Sequence, residues 1–323
     1  MLKKTIRRLG ALAMVLAMAV SVFAVNASAA DALNSLNKAY ETTAGASVSK
    51  ANAPREHLKF NIVEKTADDS NVYTATDLPD ISVEKAADAD AFTVTLPDYD
   101  ANAIGKFTYK MQEEVDGTAA AGVIYNTDYI YVVVQRTWVW NEKNEKSVKT
   151  VYAIQNSTQS KKLGTITNKF DAGSLKVTKE LAGDFANYSD TFKIKVVLSK
   201  PTGKIIANDI FVNDTKVTPE EWAADGTYTV EKELGHDESY TITNIPVGVT
   251  YTVTEVNSGS YEASYVGETG TIAADTKASA TVTNTKNSST PTGVIMTIAP
   301  YALMVVLAGV FAVVFLSRRN RAE

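Results

Sequence analysis

Three types of polar side chain, a lysine, a glutamate and an asparagine, recur in the same order twice along the chain. In the second copy, each of Lys179, Glu255 and Asn284 follows a valine by two positions. Residues two apart face the same side of a β-strand, so all three are predicted to point into an apolar layer. The segments concerned are LKVTK (175–179), VGVTYTVTE (247–255) and TVTNTK (281–286).

In the first copy the two-residue spacing between polar and apolar side chains, here called the phase, is less clear. Glu113 and Asn168 are in phase with apolar neighbours, and Lys38 lies between Leu36 and Tyr40. Lys50 is an alternative to Lys38, but Pro54 and the strand expected at 58–62 follow it closely, so we prefer Lys38. The segments of this copy are SLNKAY (35–40), GKFTYKMQEE (105–114) and ITNKF (166–170), and the alternative opening is VSK (48–50).

A buried amine, carboxyl and carboxamide cost free energy unless they satisfy one another. Burial lowers the pKa of a lysine towards a neutral, nucleophilic amine, and it raises the pKa of a glutamate, which then stays protonated. Such a glutamate can polarise the asparagine carbonyl and shuttle protons. Attack of the amine on that carbonyl would expel ammonia and leave an amide cross-link. We therefore expect one self-modification per copy and no other enzyme activity.

Composition excludes several other chemistries. The chain has 323 residues, no cysteine and only two histidines, which leaves no thiol catalysis, no disulfide and no thiolate metal site. No metal or cofactor is expected. The formal net charge is −5, and the basic ends leave about −11 for the middle of the chain, a poor match for nucleic acid.

Both ends have the pattern of targeting segments. Residues 1–29 have a basic cluster, an apolar run and an A-x-A site, which predicts a signal peptide cleaved near Ala29. Residues 294–316 are apolar and, as a helix, would be about 35 Å long, enough to span a bilayer. Residues 317–323 form a basic tail that would remain in the cytoplasm. A polar linker, 287–293, precedes the apolar segment and contains Pro-Thr-Gly.

The region between the ends is rich in Thr, Val, Tyr and Ile, and polar and apolar residues alternate between turn signals. This pattern predicts an all-β fold, and the repeat divides it into residues 30–172 and 173–286. Two tandem immunoglobulin-like β-sandwiches fit these lengths. A cross-link in each would close a loop of more than 100 residues and stabilise it by roughly 4–5 kcal/mol, by analogy with disulfides.

Together, these motifs resemble the streptococcal pilin isopeptide-linkage family, close to collagen-adhesin B-type domains. The resemblance implies a Lys179–Asn284 bond catalysed by Glu255 and a Lys38–Asn168 bond catalysed by Glu113. The C-terminal order of linker, apolar helix and basic tail resembles the cell-wall sorting signal of Gram-positive surface proteins. It implies sortase cleavage between Thr292 and Gly293. The resemblance also implies an acceptor lysine at Lys161, with Lys162 as the alternative.

From this resemblance we expect a secreted, cell-wall-anchored pilus shaft subunit that spans the membrane only as a precursor. Its expected partners are a sortase, further copies of itself in a covalent fibre and cell-wall peptidoglycan, together with minor pilins or a host ligand. No nucleic acid partner is expected. The alternative is a monomeric wall-anchored adhesin that binds a host ligand. The two functions differ in their need for the acceptor lysine.

Overall fold

A computed structural model describes residues 35–288, 301 and 303–308 of the chain, and 35–288 form an all-β protein. The first half contains nine strands. They are β1 (Leu36–Glu41), β2 (Leu58–Asp68), β3 (Ser82–Lys85), β4 (Ala91–Thr95), β5 (Gly105–Val115), β6 (Val123–Ile124), β7 (Tyr129–Trp140), β8 (Lys146–Gln155) and β9 (Thr165–Phe170).

The nine strands hydrogen-bond in one continuous sheet, in the order β6-β9-β1-β4-β3-β2-β5-β7-β8. This differs from the two separate sheets of a simple sandwich, because the β3–β4 hairpin pairs with β2 on one side and with β1 on the other. Residues from both ends of the sheet share one hydrophobic core, for example Leu36, Phe107 and Ile166. The sheet therefore curls over on itself, and the core lies inside the fold.

The second half contains ten strands and a short 3-10 helix (Pro219–Glu221). The strands are β10 (Ala172–Ala182), β11 (Phe192–Ser199), β12 (Ile210–Val212), β13 (Thr215–Val217), β14 (Thr227–Leu234), β15 (Ser239–Pro246), β16 (Thr250–Glu255), β17 (Glu262–Val266), β18 (Thr269–Thr271) and β19 (Lys277–Thr285).

These ten strands form two sheets around a single core. The larger sheet has the order β13-β12-β15-β10-β19-β17, and the smaller has the order β14-β11-β16-β18. Alternation explains the packing: along β11 every second side chain is buried, because successive residues of a strand point to opposite faces. The β12–β13 hairpin turns through Asn213 and Asp214, both at positive φ, as a two-residue turn requires.

In each half the first and last strands are parallel neighbours. β1 pairs with β9, and β10 pairs with β19. Parallel pairing between strands so far apart in sequence requires all the intervening strands to form a crossover connection. The first and last strands of each half thus lie side by side, and because they are parallel, the start of the first strand and the end of the last strand lie at opposite ends of the pair.

The two halves contact each other beyond their covalent junction at Asp171. The backbone N–H of Ala121 donates to the carbonyl of Ile205 at 2.8 Å, and Arg55 makes a two-pronged ion pair with Asp209 at 3.0 and 2.7 Å. Asp209 is buried, and bidentate arginine–carboxylate pairs are geometrically specific. A small apolar cluster that includes Tyr40, Phe170 and Ala207 fills the junction.

Several predictions concern segments outside the described residues: the signal peptide at 1–29, Thr292 with Gly293, and the tail at 317–323. Within the predicted membrane segment, residues 301 and 303–308 are described and are helical. In the part of the chain that the structure describes, no helix has both the length and the hydropathy to cross a bilayer.

Candidate functional site: two buried lysine–glutamate–asparagine trios

The second trio, Lys179, Glu255 and Asn284, is assembled from both sheets of the second half. Lys179 lies on β10 directly opposite Val282 of the parallel strand β19, so Asn284 is two residues further along on the same face. Glu255 is the last residue of β16, in the smaller sheet. The lysine and the asparagine are thus side by side, and the glutamate reaches them across the core.

The side chains of the second trio are within hydrogen-bonding distance. Lys179 Nζ lies 3.1 Å from Glu255 Oε2, and Asn284 Nδ2 donates to Glu255 Oε1 at 2.8 Å. The lysine and glutamate side chains are 0% and 1% exposed, and Asn284 is fully buried. The carboxylate therefore bridges the amine and the carboxamide in a space without access to bulk solvent.

The first trio, Lys38, Glu113 and Asn168, repeats this arrangement. Lys38 on β1 lies opposite Ile166 of the parallel strand β9, so Asn168 is again two residues further along. Glu113 comes from β5. Its Oε1 atom alone accepts from both partners, at 2.7 Å from Lys38 Nζ and 3.0 Å from Asn168 Nδ2. One oxygen thus contacts both the amine and the amide nitrogen.

Burial changes the pKa of both lysines. Desolvation lowers the pKa of Lys38 to about 8, although the charge and hydrogen bond of Glu113 act in the opposite direction. Desolvation also lowers the pKa of Lys179, again opposed by the neighbouring Glu255. Lower pKa values increase the fraction of neutral amine, the form that attacks a carbonyl. Burial therefore increases the share of the nucleophilic form at both sites.

The carboxamide oxygens of the two trios differ in their hydrogen bonding. Asn168 Oδ1 accepts a hydrogen bond of 2.9 Å from the backbone N–H of Asn126, in the segment between β6 and β7. Asn284 Oδ1 is buried and has no hydrogen-bond partner among the described residues. The two sites share their three side chains and their strand register but differ at the carbonyl.

Lys50, the alternative to Lys38, lies on the surface. Its side chain is 77% exposed and pairs with Asp90 at 2.6 Å. It is Lys38 that the structure brings to Glu113, because β1 enters the sheet next to β9, whereas Lys50 lies in the turn region that follows β1.

The two acceptor candidates lie in the connection between β8 and β9. Asn156 closes this turn, and its Oδ1 accepts from the backbone N–H groups of Ser160 and Lys161 at 3.0 and 3.2 Å. Lys161 is exposed, whereas Lys162 is partly buried and forms a backbone bridge with Gln155. The exposed lysine is thus presented on a hydrogen-bonded turn.

The sequence reasoning missed a group of residues around the first trio. Glu56 is 3% exposed and accepts from the hydroxyl groups of Tyr40 and Tyr125, and Tyr125 directly precedes Asn126. Buried Lys85 donates to the carbonyl of Glu56. Glu56 lies in the connection between β1 and β2, where polar and apolar residues do not alternate, so the sequence pattern did not indicate that its side chain is buried. The pairing of polar side chains in loops depends on the tertiary fold.

The geometry defines a class of protein: an all-β chain in which each half buries a lysine–glutamate–asparagine trio between its first and last strands. Residues 173–286 match a family described as "Domain of unknown function (DUF7601)". A protein named "Pilin" from Streptococcus pyogenes serotype M1 is 30% identical over 246 residues, covering 67% of this chain and 68% of that protein. The chain belongs to this pilin family.

Two solved structures are also similar. The crystal structure of the major pilin from Streptococcus pyogenes has 20% identity and a TM-score of 0.48, covering 79% of this chain and 98% of that one. The major pilin T3.2 of the same species has 19% identity and a TM-score of 0.44, with the same coverage of both chains.

Proposed function

We propose that this pilin is the shaft subunit of a covalent pilus, in which each of two tandem immunoglobulin-like halves closes its own lysine–asparagine isopeptide bond. A sortase then joins Thr292 of one subunit to Lys161 of the next. The mature protein is secreted, is displayed on the cell surface and is finally linked to cell-wall peptidoglycan.

One observation supports the isopeptide bonds above all others. In both halves the lysine lies opposite the residue two positions before the asparagine, across a parallel pair formed by the first and last strands. In both halves a buried carboxylate bridges the amine and the carboxamide. An ordinary buried salt bridge needs no third partner at a fixed register, and it rarely stabilises a fold.

The reaction needs no external reagent. Neutral Lys38 Nζ attacks Cγ of Asn168, the Nζ–Cγ bond forms, and the Cγ–Nδ2 bond breaks. Glu113 takes a proton from the attacking nitrogen and returns one to Nδ2, which leaves as ammonia. Oε1 is suited to this transfer because it contacts both nitrogens. Lys179, Glu255 and Asn284 follow the same steps in the second half.

Polymerisation uses residues outside the two cores. In this proposal the sortase transfers the acyl group of Thr292 to the amine of Lys161, and the exposure of that lysine on the β8–β9 turn supports the assignment. Because donor and acceptor lie at different places on the subunit, the joining is head to tail, and it produces a fibre when the rotation between successive subunits does not close a ring. Minor pilins or a host ligand are further expected partners.

The mass of the recombinant segment 30–292, purified without any sortase, tests the internal bonds. Each bond releases one ammonia, so two bonds predict an intact mass about 34 Da below the sequence mass. Peptide mapping should then recover Lys38 linked to Asn168 and Lys179 linked to Asn284.

The matched controls are Glu113→Ala and Glu255→Ala, each measured against its own sequence mass. Each single variant should show a deficit of about 17 Da, and the double variant none. A wild-type chain at its full sequence mass would contradict the proposed chemistry.

A further inference from the structure

The orientation of the Asn168 carboxamide is determined by its neighbours. The backbone N–H of Asn126 is a donor only, so the atom 2.9 Å from it must be the carbonyl oxygen Oδ1. The amide nitrogen Nδ2 therefore faces Glu113 Oε1. In this orientation Glu113 contacts the leaving group, and the backbone of Asn126 contacts the oxygen on which negative charge develops.

We propose that the backbone N–H of Asn126 is the oxyanion donor for isopeptide formation in the first half, and that Tyr125 and Glu56 are the positioning residues that hold it. The inference rests on the proposed isopeptide chemistry and assigns two of its tasks to different groups. Glu113 moves protons, and Asn126 stabilises the charge on Oδ1.

The distance and the rigidity of the donor suit this role. Oxyanion donors act best when they are preorganised at 2.7–3.1 Å from the oxygen. The side chain of Asn126 fixes its own backbone, since Nδ2 donates to Thr167 O at 3.2 Å and Oδ1 accepts from the N–H of Asp128 at 2.7 Å. Asn126 is therefore held to β9, the strand that contains Asn168.

Tyr125 and Glu56 fix the other side of the donor. The Tyr125 hydroxyl donates to Glu56 Oε1 and also accepts from the backbone N–H of Ala120 at 2.9 Å. Tyr40, two residues after Lys38 on β1, donates to Glu56 Oε2 at 3.1 Å. A buried carboxylate with several donors thus ties the donor segment to the strand of the nucleophile. The same hydrogen bonds also satisfy the buried carboxylate of Glu56.

The bond-forming step balances with these groups alone. As Lys38 Nζ adds to Cγ of Asn168, the carbonyl π electrons move to Oδ1, where the Asn126 N–H stabilises them. The electrons return as the Cγ–Nδ2 bond breaks, and Nδ2 leaves as ammonia with the proton that Glu113 delivers. The Asn126 N–H keeps its own proton throughout.

The second half serves as an internal control. Asn284 Oδ1 has no hydrogen-bond partner in the described part of the chain, so no equivalent of Asn126 acts there. Removing the Asn126 N–H should slow the Lys38–Asn168 bond and leave the Lys179–Asn284 bond unchanged in the same molecule.

The experiment follows both bonds after cell-free synthesis of residues 30–292, with samples quenched in denaturant and the two cross-linked peptides quantified by mass spectrometry. Asn126→Pro removes the N–H, and replacement of residue 126 by the α-hydroxy analogue of asparagine removes it without adding a ring. Both changes should slow the first bond about 100-fold, the usual effect of losing one oxyanion donor. Asn126→Ala keeps the N–H but loses the side-chain hydrogen bonds that hold it in place, so its first-bond rate should lie between those of the wild type and the α-hydroxy variant.

A second comparison separates positioning from a merely structural role. Tyr125→Phe should slow the first bond only. The same substitution in a Glu113→Ala background, where no first bond forms, measures what the hydroxyl contributes to fold stability, and it should lower the thermal unfolding midpoint because buried Glu56 loses a donor. The bond rates are therefore compared at a temperature at which both variants are fully folded, and an unchanged first-bond rate in folded Tyr125→Phe would overturn the positioning role.

The outcomes separate this inference from the proposed function. If both wild-type bonds form and the α-hydroxy variant keeps the wild-type rate, the oxyanion assignment is wrong and the proposed function stands. If neither wild-type bond forms, both fail.

Discussion

Lys38 has three charged groups around it. Glu113 lies at 2.7 Å, and Glu56 and Lys85 act from further away, one raising and one lowering its pKa. Desolvation outweighs the two carboxylates, and the pKa of Lys38 falls to about 8. About a tenth of such an amine is neutral at pH 7, against fewer than one in a thousand for an exposed lysine. The site thus forms its nucleophile near neutral pH.

The rate of the Lys38–Asn168 bond should therefore depend on pH. Below pH 8 the ammonium form dominates and cannot attack, so the rate should rise close to tenfold per unit between pH 6 and 7 and level off above about pH 8. Refolding of denatured, unlinked chain at a series of pH values, with mass spectrometry of the cross-linked peptide, measures this profile. A rate that is constant from pH 6 to 8 would contradict a titrating lysine nucleophile.

At the scale of strands, the two proposed cross-links would decide which parts of the chain bear tension. If force enters at Lys161 and leaves at Thr292, it passes along β9 and β10 to Lys179, then through the bond to Asn284. The strands from β11 to β18 lie off this path. The Lys38–Asn168 bond is also off the path, because seven residues of chain already connect Lys161 to Asn168.

Stretching the subunit between residues 161 and 292 should therefore lengthen two variants by very different amounts, although each variant lacks one cross-link. Glu255→Ala should allow residues 180–283 to unfold and lengthen the molecule by roughly 350 Å, at 3.3–3.6 Å per residue. Single-molecule force spectroscopy measures the added contour length.

Glu113→Ala is the matched control and should extend no further than the wild type, although it also lacks one bond. Equal lengthening of both variants would show that the tension takes another route through the fold.

At the scale of the whole molecule, the two halves are held together by contacts between distant parts of the chain. Arg55 and Asp209 are 154 residues apart, and the backbone bond between Ala121 and Ile205 adds to their pair. The β8–β9 turn that presents Lys161 belongs to the first half, whereas the sorting segment follows the last strand of the second half. In the proposed polymer, the acceptor Lys161 and the donor Thr292 therefore belong to different halves of the subunit.

Lys161→Ala should abolish the ladder of high-mass polymers that forms when the subunit and its sortase are expressed together. Lys162→Ala should retain the ladder, because that lysine is partly buried and its backbone is paired with Gln155. Immunoblots of cell-wall extracts measure both.

A ladder that persists in Lys161→Ala and disappears in Lys162→Ala would move the acceptor by one residue. The absence of any ladder in the wild type would favour the monomeric adhesin.

The sequence alone indicated much of the second trio. A period of two is a local property, so the alternation in LKVTK was enough to put Lys179 in phase with Leu175 and Val177, which the structure finds fully buried. The same alternation predicted an all-β fold, and the repeated order of lysine, glutamate and asparagine divided the chain into two halves. Such patterns are readable because each strand has one face in the core and one in solvent.

The tertiary structure decided what depends on strand pairing over long separations. Lys38 and Lys50 are both in phase with an apolar residue, and only the pairing of β1 with β9 brings one of them to Glu113. The continuous nine-stranded sheet and the hydrogen bond between Glu56 and Tyr125, the residue before Asn126, were equally absent from the local pattern. Lys38 and Glu113 are 75 residues apart, and Glu56 and Tyr125 are 69 residues apart; a hydrogen bond between loops or distant strands leaves no period in the sequence.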